Sequence, residues 1–143
     1  MIKKKISKIF VPLDGSKNSK RGLETAITLA RNCGATITGF YSIHAPPHSE
    51  FKGVGSVENA FNKQIKKFMA EAKNLAAQNG IVFKDKIARG EIGYNIIKAS
   101  HGKTKYDMIV IGSRGRSNTK EIFFGSVSNY VIHTSKIPVV IVK

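Results

Sequence analysis

The sequence predicts an α/β fold in three layers, a single parallel sheet of five strands with helices on both faces. Three observations predict it. Short β-branched runs alternate with longer stretches of helical period in the order β-α-β-α-β-α-β-α-β. Strands separated by helices pair in parallel through right-handed crossovers, which place the helices on the faces of the sheet. The 143 residues amount to about one domain, enough to bury one core, and neither a solenoid-length repeat nor a low-complexity linker divides them. A single domain over residues 1–143 is therefore expected.

The first strand is "ISKIFVPLD" (6–14), rich in β-branched and aromatic residues. "NSKRGLETAITLARNCG" follows, with Leu23, Ala26, Ile27 and Ala30 on one helical face. Ser16 or Asn18 is its expected N-cap, and Gly34 stands where a left-handed C-terminal residue belongs. "ATITGFYSIH" (35–44) is the second strand. "APPHSEFKGVGS" (45–56) reads as an irregular surface connection, rich in Pro, Gly and polar residues. The second helix carries Phe61, Ile65, Phe68, Ala72 and Leu75 at four-and-three spacing, with Lys63, Lys66, Lys67 and Lys73 turned away, until "QNG" ends it. "IVFKDKIARG" (81–90) is an irregular third strand, and "EIGYNIIKASHGK" (91–103) is a short helix through Ile92, Ile96 and Ile97. "YDMIVIGS" (106–113) is the most apolar strand. "FGSVSNYVIHTS" places Val127, Tyr130, Val131 and Thr134 at helical spacing, and "PVVIVK" (138–143) closes the sheet.

Hydrophobic content of 41% with 23% charged residues is globular composition, and no apolar run approaches the ~18 residues that span a bilayer. No membrane association is expected. The opening "MIKKKISKIFVPLDGS" is basic, but Lys8 and Asp14 interrupt any apolar region and no small-residue cleavage site follows, so it reads as mature protein. The lone Cys33 excludes an internal disulfide framework and fits a cytoplasmic protein. A net charge of +15 draws polyanions, including nucleotides and nucleic acid. The basic residues are dispersed, however, without an aromatic-interleaved RNA motif or zinc-finger spacing, which favours a solvated surface over a dedicated nucleic-acid face.

Chemistry concentrates after the fourth strand. Gly112 ends that strand, Gly115 follows in the loop, and Gly125 with Ser126 opens the last helix. Ligands of parallel sheets bind beyond the carboxyl ends of strands, and a helix start offers unpaired N–H groups and positive potential to an anion. Ser113, Ser126 and Ser128 add hydroxyls, and Arg114 and Arg116 add charge. Taken singly, each glycine favours an ordinary reading: Gly112 ends a strand, Gly115 makes a turn and Gly125 precedes an N-cap serine. Neither G-x-x-x-x-G-K-[ST] nor a G-x-G-x-x-G after the first strand is present, so a P-loop NTPase or a dinucleotide site is not expected. His44, His48, His101 and His133 are scattered, and no catalytic constellation appears.

The pattern G-x2-G-x9-G-[ST] at Gly112, Gly115, Gly125 and Ser126, read with "IFVPLDGSKNSKRGLETAITLA", resembles the universal stress protein family, and within it the ATP-binding branch. The resemblance runs from "VPLDGS" through the final strand and implies a Rossmann-like fold. It implies an adenosine pocket lined by Pro12, Leu13 and Asp14, with Asp14 facing ribose or a metal such as Mg²⁺; capping the turn "DGSKNS" is the other role open to that residue. Ser42 or Ile43 falls where the second strand meets adenine. Gly112, Ser113, Arg114 and Gly115 run alongside ribose and phosphates, and Gly125, Ser126, Val127 and Ser128 hold the β- and γ-phosphates. ATP, ADP or AMP is the implied ligand, and the final strand is the implied homodimer contact. Two positions depart from the family: Tyr41 stands where many relatives carry His, and "NTKEIFF" lacks a glycine often found in the loop. The expected function is a nucleotide-dependent stress-response or regulatory module. The alternatives are slow ATPase or phosphotransferase activity from the same pocket, or nucleic-acid binding by the basic surface.

Overall fold

The computed structural model of the chain describes residues 2, 5–44, 55–114 and 125–143. They form β1 (Lys8–Leu13), α1 (Lys17–Cys33), β2 (Thr36–His44), α2 (Gly55–Gln78), β3 (Phe83–Gly90), α3 (Ile92–Ser100), β4 (Met108–Gly112), α4 (Ser126–Thr134) and β5 (Val139–Val142). All five strands are parallel, in the order β3-β2-β1-β4-β5. From β1 the chain winds one way to β2 and β3, then crosses back to β4 and β5. The direction therefore switches between β1 and β4, the place where such sheets open a crevice.

Strand alternation divides the core in two. Ile9, Val11 and Leu13 join Ile37, Tyr41, Ile43 and Val110 under α1 and α2. Phe10 joins Phe40, Ile109 and Ile111 under α3 and α4, where Phe10 meets the ring of Tyr106 edge-on at 5.0 Å between centroids. Both faces are covered, which is why the strands read as nearly continuous apolar runs.

In α1 the capping choice falls on Ser16, whose Oγ accepts the N–H of Ser19 at 3.1 Å. Gly34 ends the helix at φ 67°, a left-handed conformation that glycine adopts without steric cost. Leu23 and Ile27 are 2% and 5% exposed, and burying each contributes about 1.5–3 kcal/mol. In α2 the buried stripe is Ile65, Met69, Ala72 and Ala76, with Phe61, Phe68 and Leu75 packed along its margin. This helix begins at Gly55, so positions 55 and 56 are helical instead of part of the expected connection. Residues 45–54 lie outside the described residues.

The last helix departs from its expected face. Val131 and Ser128 are buried, while Tyr130 is 39% exposed and Thr134 is exposed. The cause is α3: Gly93 carries no side chain, and the Tyr130 ring lies against it, where a Cβ would stand 2.7 Å from the ring's Cδ1. Helix α4 thus leans on α3 and turns the residues flanking Val131 away from the sheet.

At the opposite end of the sheet, Asp107 ties the starts of β1 and β4 together. Its Oδ2 accepts the N–H of Ser7 at 2.8 Å, the N–H of Lys8 at 2.9 Å and the Ser7 hydroxyl at 3.1 Å. Asp107→Ala is expected to lower stability by about 1 kcal/mol without touching the opposite end of the sheet. A urea midpoint that falls at unchanged slope, with ligand affinity unaltered, checks this.

Candidate functional site

At the carboxyl ends of β1, β2 and β4 the sheet opens into a cavity of about 400 Å³. Pro12, Leu13 and Asp14 line it from β1, and Tyr41 to His44 line it from β2. Gly112 and Arg114 line it after β4, and Gly125 to Ser128 line it at the start of α4. Ile92 and Ile96 of α3, Ile111 and Phe61 add apolar walls. The sequence-predicted positions therefore converge on one space, with two exceptions. Gly115 lies outside the described residues, and Ser113 is 6% exposed and is not on the wall.

Ser113 is instead the staple of the site. Its N–H donates to the Val142 carbonyl at 2.8 Å, and its own carbonyl accepts the Gly125 N–H at 2.7 Å and the Ser128 hydroxyl at 3.0 Å. These bonds hold the exit of β4 beside the entry of α4, across the connection between them. The Ser128 hydroxyl also lies 2.9 Å from the Gly125 carbonyl, so its hydrogen is committed to the main chain.

Gly112 is bare for a reason the motif does not show. A Cβ there would stand 2.5 Å from Asn18 Oδ1 and 2.9 Å from the Asn18 carbonyl oxygen, so the empty position accommodates the first turn of α1. Gly22, one turn further, has the Gly112 N atom 3.2 Å from its own Cβ position. Asn18 then uses the closeness: its Oδ1 accepts the Arg114 N–H at 2.7 Å and its Nδ2 donates to the Val142 carbonyl at 3.4 Å. With Ser16 as the cap, the Asn18 side chain is left to fix where Arg114 leaves the sheet.

Gly125 is different. It is the N-cap of α4 at φ −62° and ψ 162°, a conformation open to any residue, so the backbone does not require glycine there. The first helical bond runs from the Asn129 N–H to the Gly125 carbonyl at 2.9 Å. The N–H groups of Ser126, Val127 and Ser128 precede that bond and by helix geometry have no acceptor within the helix. All three residues line the cavity, with the positive end of the helix dipole behind them.

Asp14 caps the turn, the second of the roles open to it, and stands on the cavity wall. Its Oδ1 accepts the Ser16 N–H at 2.9 Å, closing the turn into α1, and the residue also lines the cavity. Its carbonyl accepts the Tyr41 hydroxyl at 3.4 Å, which holds the β1 exit in place. Ser42 and Ile43 both line the cavity from opposite faces of β2, and the Ser42 Oγ accepts the Asn95 side-chain N–H at 3.1 Å. Among the described residues no three of His, Cys, Asp and Glu gather as a metal site, and Asp14 is the acidic residue on the cavity wall. Sequence reasoning missed His44, Phe61, Ile92 and Ile96. The last two read as core stripe, and only their place at the amino-terminal end of α3 hinted otherwise.

Residues 5–143 match the family model described as the Universal stress protein family. The chain belongs to the universal stress protein family. It is 32% identical over 154 aligned positions to the universal stress protein YxiE of Bacillus subtilis, covering 96% of this chain and 99% of that one. The solved structure of universal stress protein UspA from Lactobacillus plantarum superposes with a TM-score of 0.88 at 21% identity, over 99% of this chain and 100% of that chain. A universal stress protein from Archaeoglobus fulgidus, solved in complex with dAMP, shares the fold at a TM-score of 0.71 and 23% identity, over 96% of this chain and 98% of that one. No helix among the described residues of this universal stress protein is long and apolar enough to cross a membrane.

Proposed function

We propose that this universal stress protein binds an adenine nucleotide, ATP or its ADP and AMP counterparts, and serves as a stress-response or regulatory module set by that occupancy. The observation that carries the reading is the first turn of α4: Ser126, Val127 and Ser128, whose N–H groups have no acceptor within the helix, line a cavity that also has apolar walls in Leu13, Phe40, Ile43, Ile92, Ile96 and Ile111. That combination suits a ligand with one flat apolar end and one anionic end. The base would lie against Ser42 and Ile43 with Ile92 and Ile96 nearby, the ribose by Pro12, Leu13 and Asp14, and the phosphates along Gly112, Arg114 and Gly125 to Ser128. Ser113 contributes by holding the two ends of the connection together, and Gly115 belongs to the same proposal through the spacing of the motif. The nucleotide in the Archaeoglobus fulgidus complex is that protein's own ligand, and it supports this reading by analogy of fold.

Mg²⁺ fits through Asp14, since this ion is ordinarily held by one or two carboxylates together with the phosphates of its substrate. Its chemistry would be to neutralise phosphate charge, and the reading asks only for binding. A homodimer through β5 belongs to the same proposal. Among the described residues β5 pairs with β4 alone, and an apolar edge strand invites a partner.

Calorimetry with ATP and with adenosine tests the proposal. ATP is expected to bind at least about tenfold more tightly than adenosine, a difference of roughly 1.4 kcal/mol from the phosphates. At about 100 times its Kd it should add roughly 2.7 kcal/mol of stability, visible as a raised Tm. Equal affinities, or no binding of either, would overturn the reading.

A further inference from the structure

Beside α3 lies a second groove, of about 440 Å³, which shares only Phe40 with the lining of the cavity above and differs from it in charge. One wall is the edge strand β3, where Lys86 shares the face of Phe40 and Arg89 borders the groove at the strand's end; the other is the carboxyl-terminal turn of α3 and the residues after it, carrying Lys98 and Lys103, so Lys86, Lys98 and Lys103 supply the charge. Among the described residues no acidic residue lines it. The Lys86 ammonium lies 5.9 Å from the centroid of the buried Tyr106 ring, a cation–π distance that orients it. Lys98 has an ordinary role as the basic residue in the last turn of α3, where it meets the negative end of the helix. That end is worth about half an elementary charge, so it offsets only a fraction of the positive charge around the groove.

Like charges brought together around one groove repel, and a compact multivalent anion between them relieves that repulsion. The floor favours a small anion over a nucleic-acid strand. Phe40 is 2% exposed and Tyr106 is 4% exposed, so neither ring presents a face on which a base could stack. We propose that the groove between β3 and the end of α3 is a second anion site that takes a compact polyphosphate, two or three adjacent phosphate groups, either as inorganic pyrophosphate or as the diphosphate end of a nucleotide.

The test is titration of ¹⁵N-labelled protein with pyrophosphate and, separately, with ADP, followed by amide shifts. Saturable shifts are expected at Lys86 to Arg89 and at Lys98 to Thr104, and whichever titrant gives them names the source of the phosphates. Lys86→Gln together with Lys98→Gln should weaken this binding by at least about tenfold, the factor that corresponds to roughly 1.4 kcal/mol. Lys86→Arg with Lys98→Arg should retain it, which separates charge from any structural effect of the glutamines. Both lysines are exposed, so the variants are expected to fold. The proposal is overturned if shifts appear only at Ser126 to Ser128, if the glutamine pair leaves the groove shifts unchanged, or if these amides respond to a single-stranded oligonucleotide and to neither small anion. Failure of ATP to bind the first cavity would leave the pyrophosphate result standing, so the two proposals fail separately.

Discussion

Gly112→Ala is expected to destabilise the protein by roughly 3 kcal/mol, the upper end of what overpacking a close contact costs. The added methyl would stand 2.5 Å from Asn18 Oδ1, 2.9 Å from the Asn18 carbonyl oxygen and 3.0 Å from its carbonyl carbon. Two of these atoms are backbone in the first turn of α1, so no rotamer change clears the clash. The helix must move off β4, which also strains the bonds from Asn18 to the Arg114 N–H and the Val142 carbonyl. Urea unfolding should show the midpoint falling steeply at unchanged slope. An alanine variant with wild-type stability would mean that α1 does not press on β4 as described. Loss of ligand affinity in this variant carries no information about phosphate approach, because the site would be distorted by the helix.

Gly125→Val separates the ligand question from the packing question. The conformation at position 125, φ −62° and ψ 162°, is one that a β-branched residue adopts readily, so the fold should be preserved, with a loss of about 1 kcal/mol because Val is a poorer N-cap than Gly. The position lines the cavity directly before the three N–H groups of α4, and a branched side chain there takes the space a phosphate needs. Losing one or two hydrogen bonds to a charged group costs roughly 3 kcal/mol, so ATP affinity should fall about 100-fold. Adenosine affinity should stay within about twofold, because the base and ribose ends of the cavity are untouched. ATP affinity unchanged in a folded Gly125→Val variant would refute phosphate binding at this helix.

The architecture was legible because each strand and helix announces itself through local period. The apolar runs at 9–13, 37–43 and 108–112 read as strands covered on both faces, and the two-sided core explains why. What escaped are contacts between residues far apart in sequence. Asn18 reads as a helix-cap candidate, yet its role is set by Arg114, 96 residues away. Gly112 reads as a phosphate-facing glycine, and the sequence does not show that α1 also presses against it. Ser128 reads as a phosphate donor, and only the fold brings the Ser113 carbonyl to its hydroxyl. The face of α4 was misjudged at Tyr130 and Thr134 because period reports which residues share a side, not which neighbour that side meets. The candidate site was more legible than these contacts. Its glycine spacing and strand ends are local features, whereas Ile92, Ile96 and Phe61 were hidden inside stripes that serve the core as well.

The most direct measurement of the central claim is the ATP dependence of the backbone amide signals of Ser126, Val127 and Ser128 in the ¹⁵N-labelled protein. If the first turn of α4 receives the phosphates, these three signals shift downfield and saturate together with ATP, and adenosine leaves them in place. If ATP saturates the protein while these amides keep their positions, the phosphates bind elsewhere and the account of the site is contradicted.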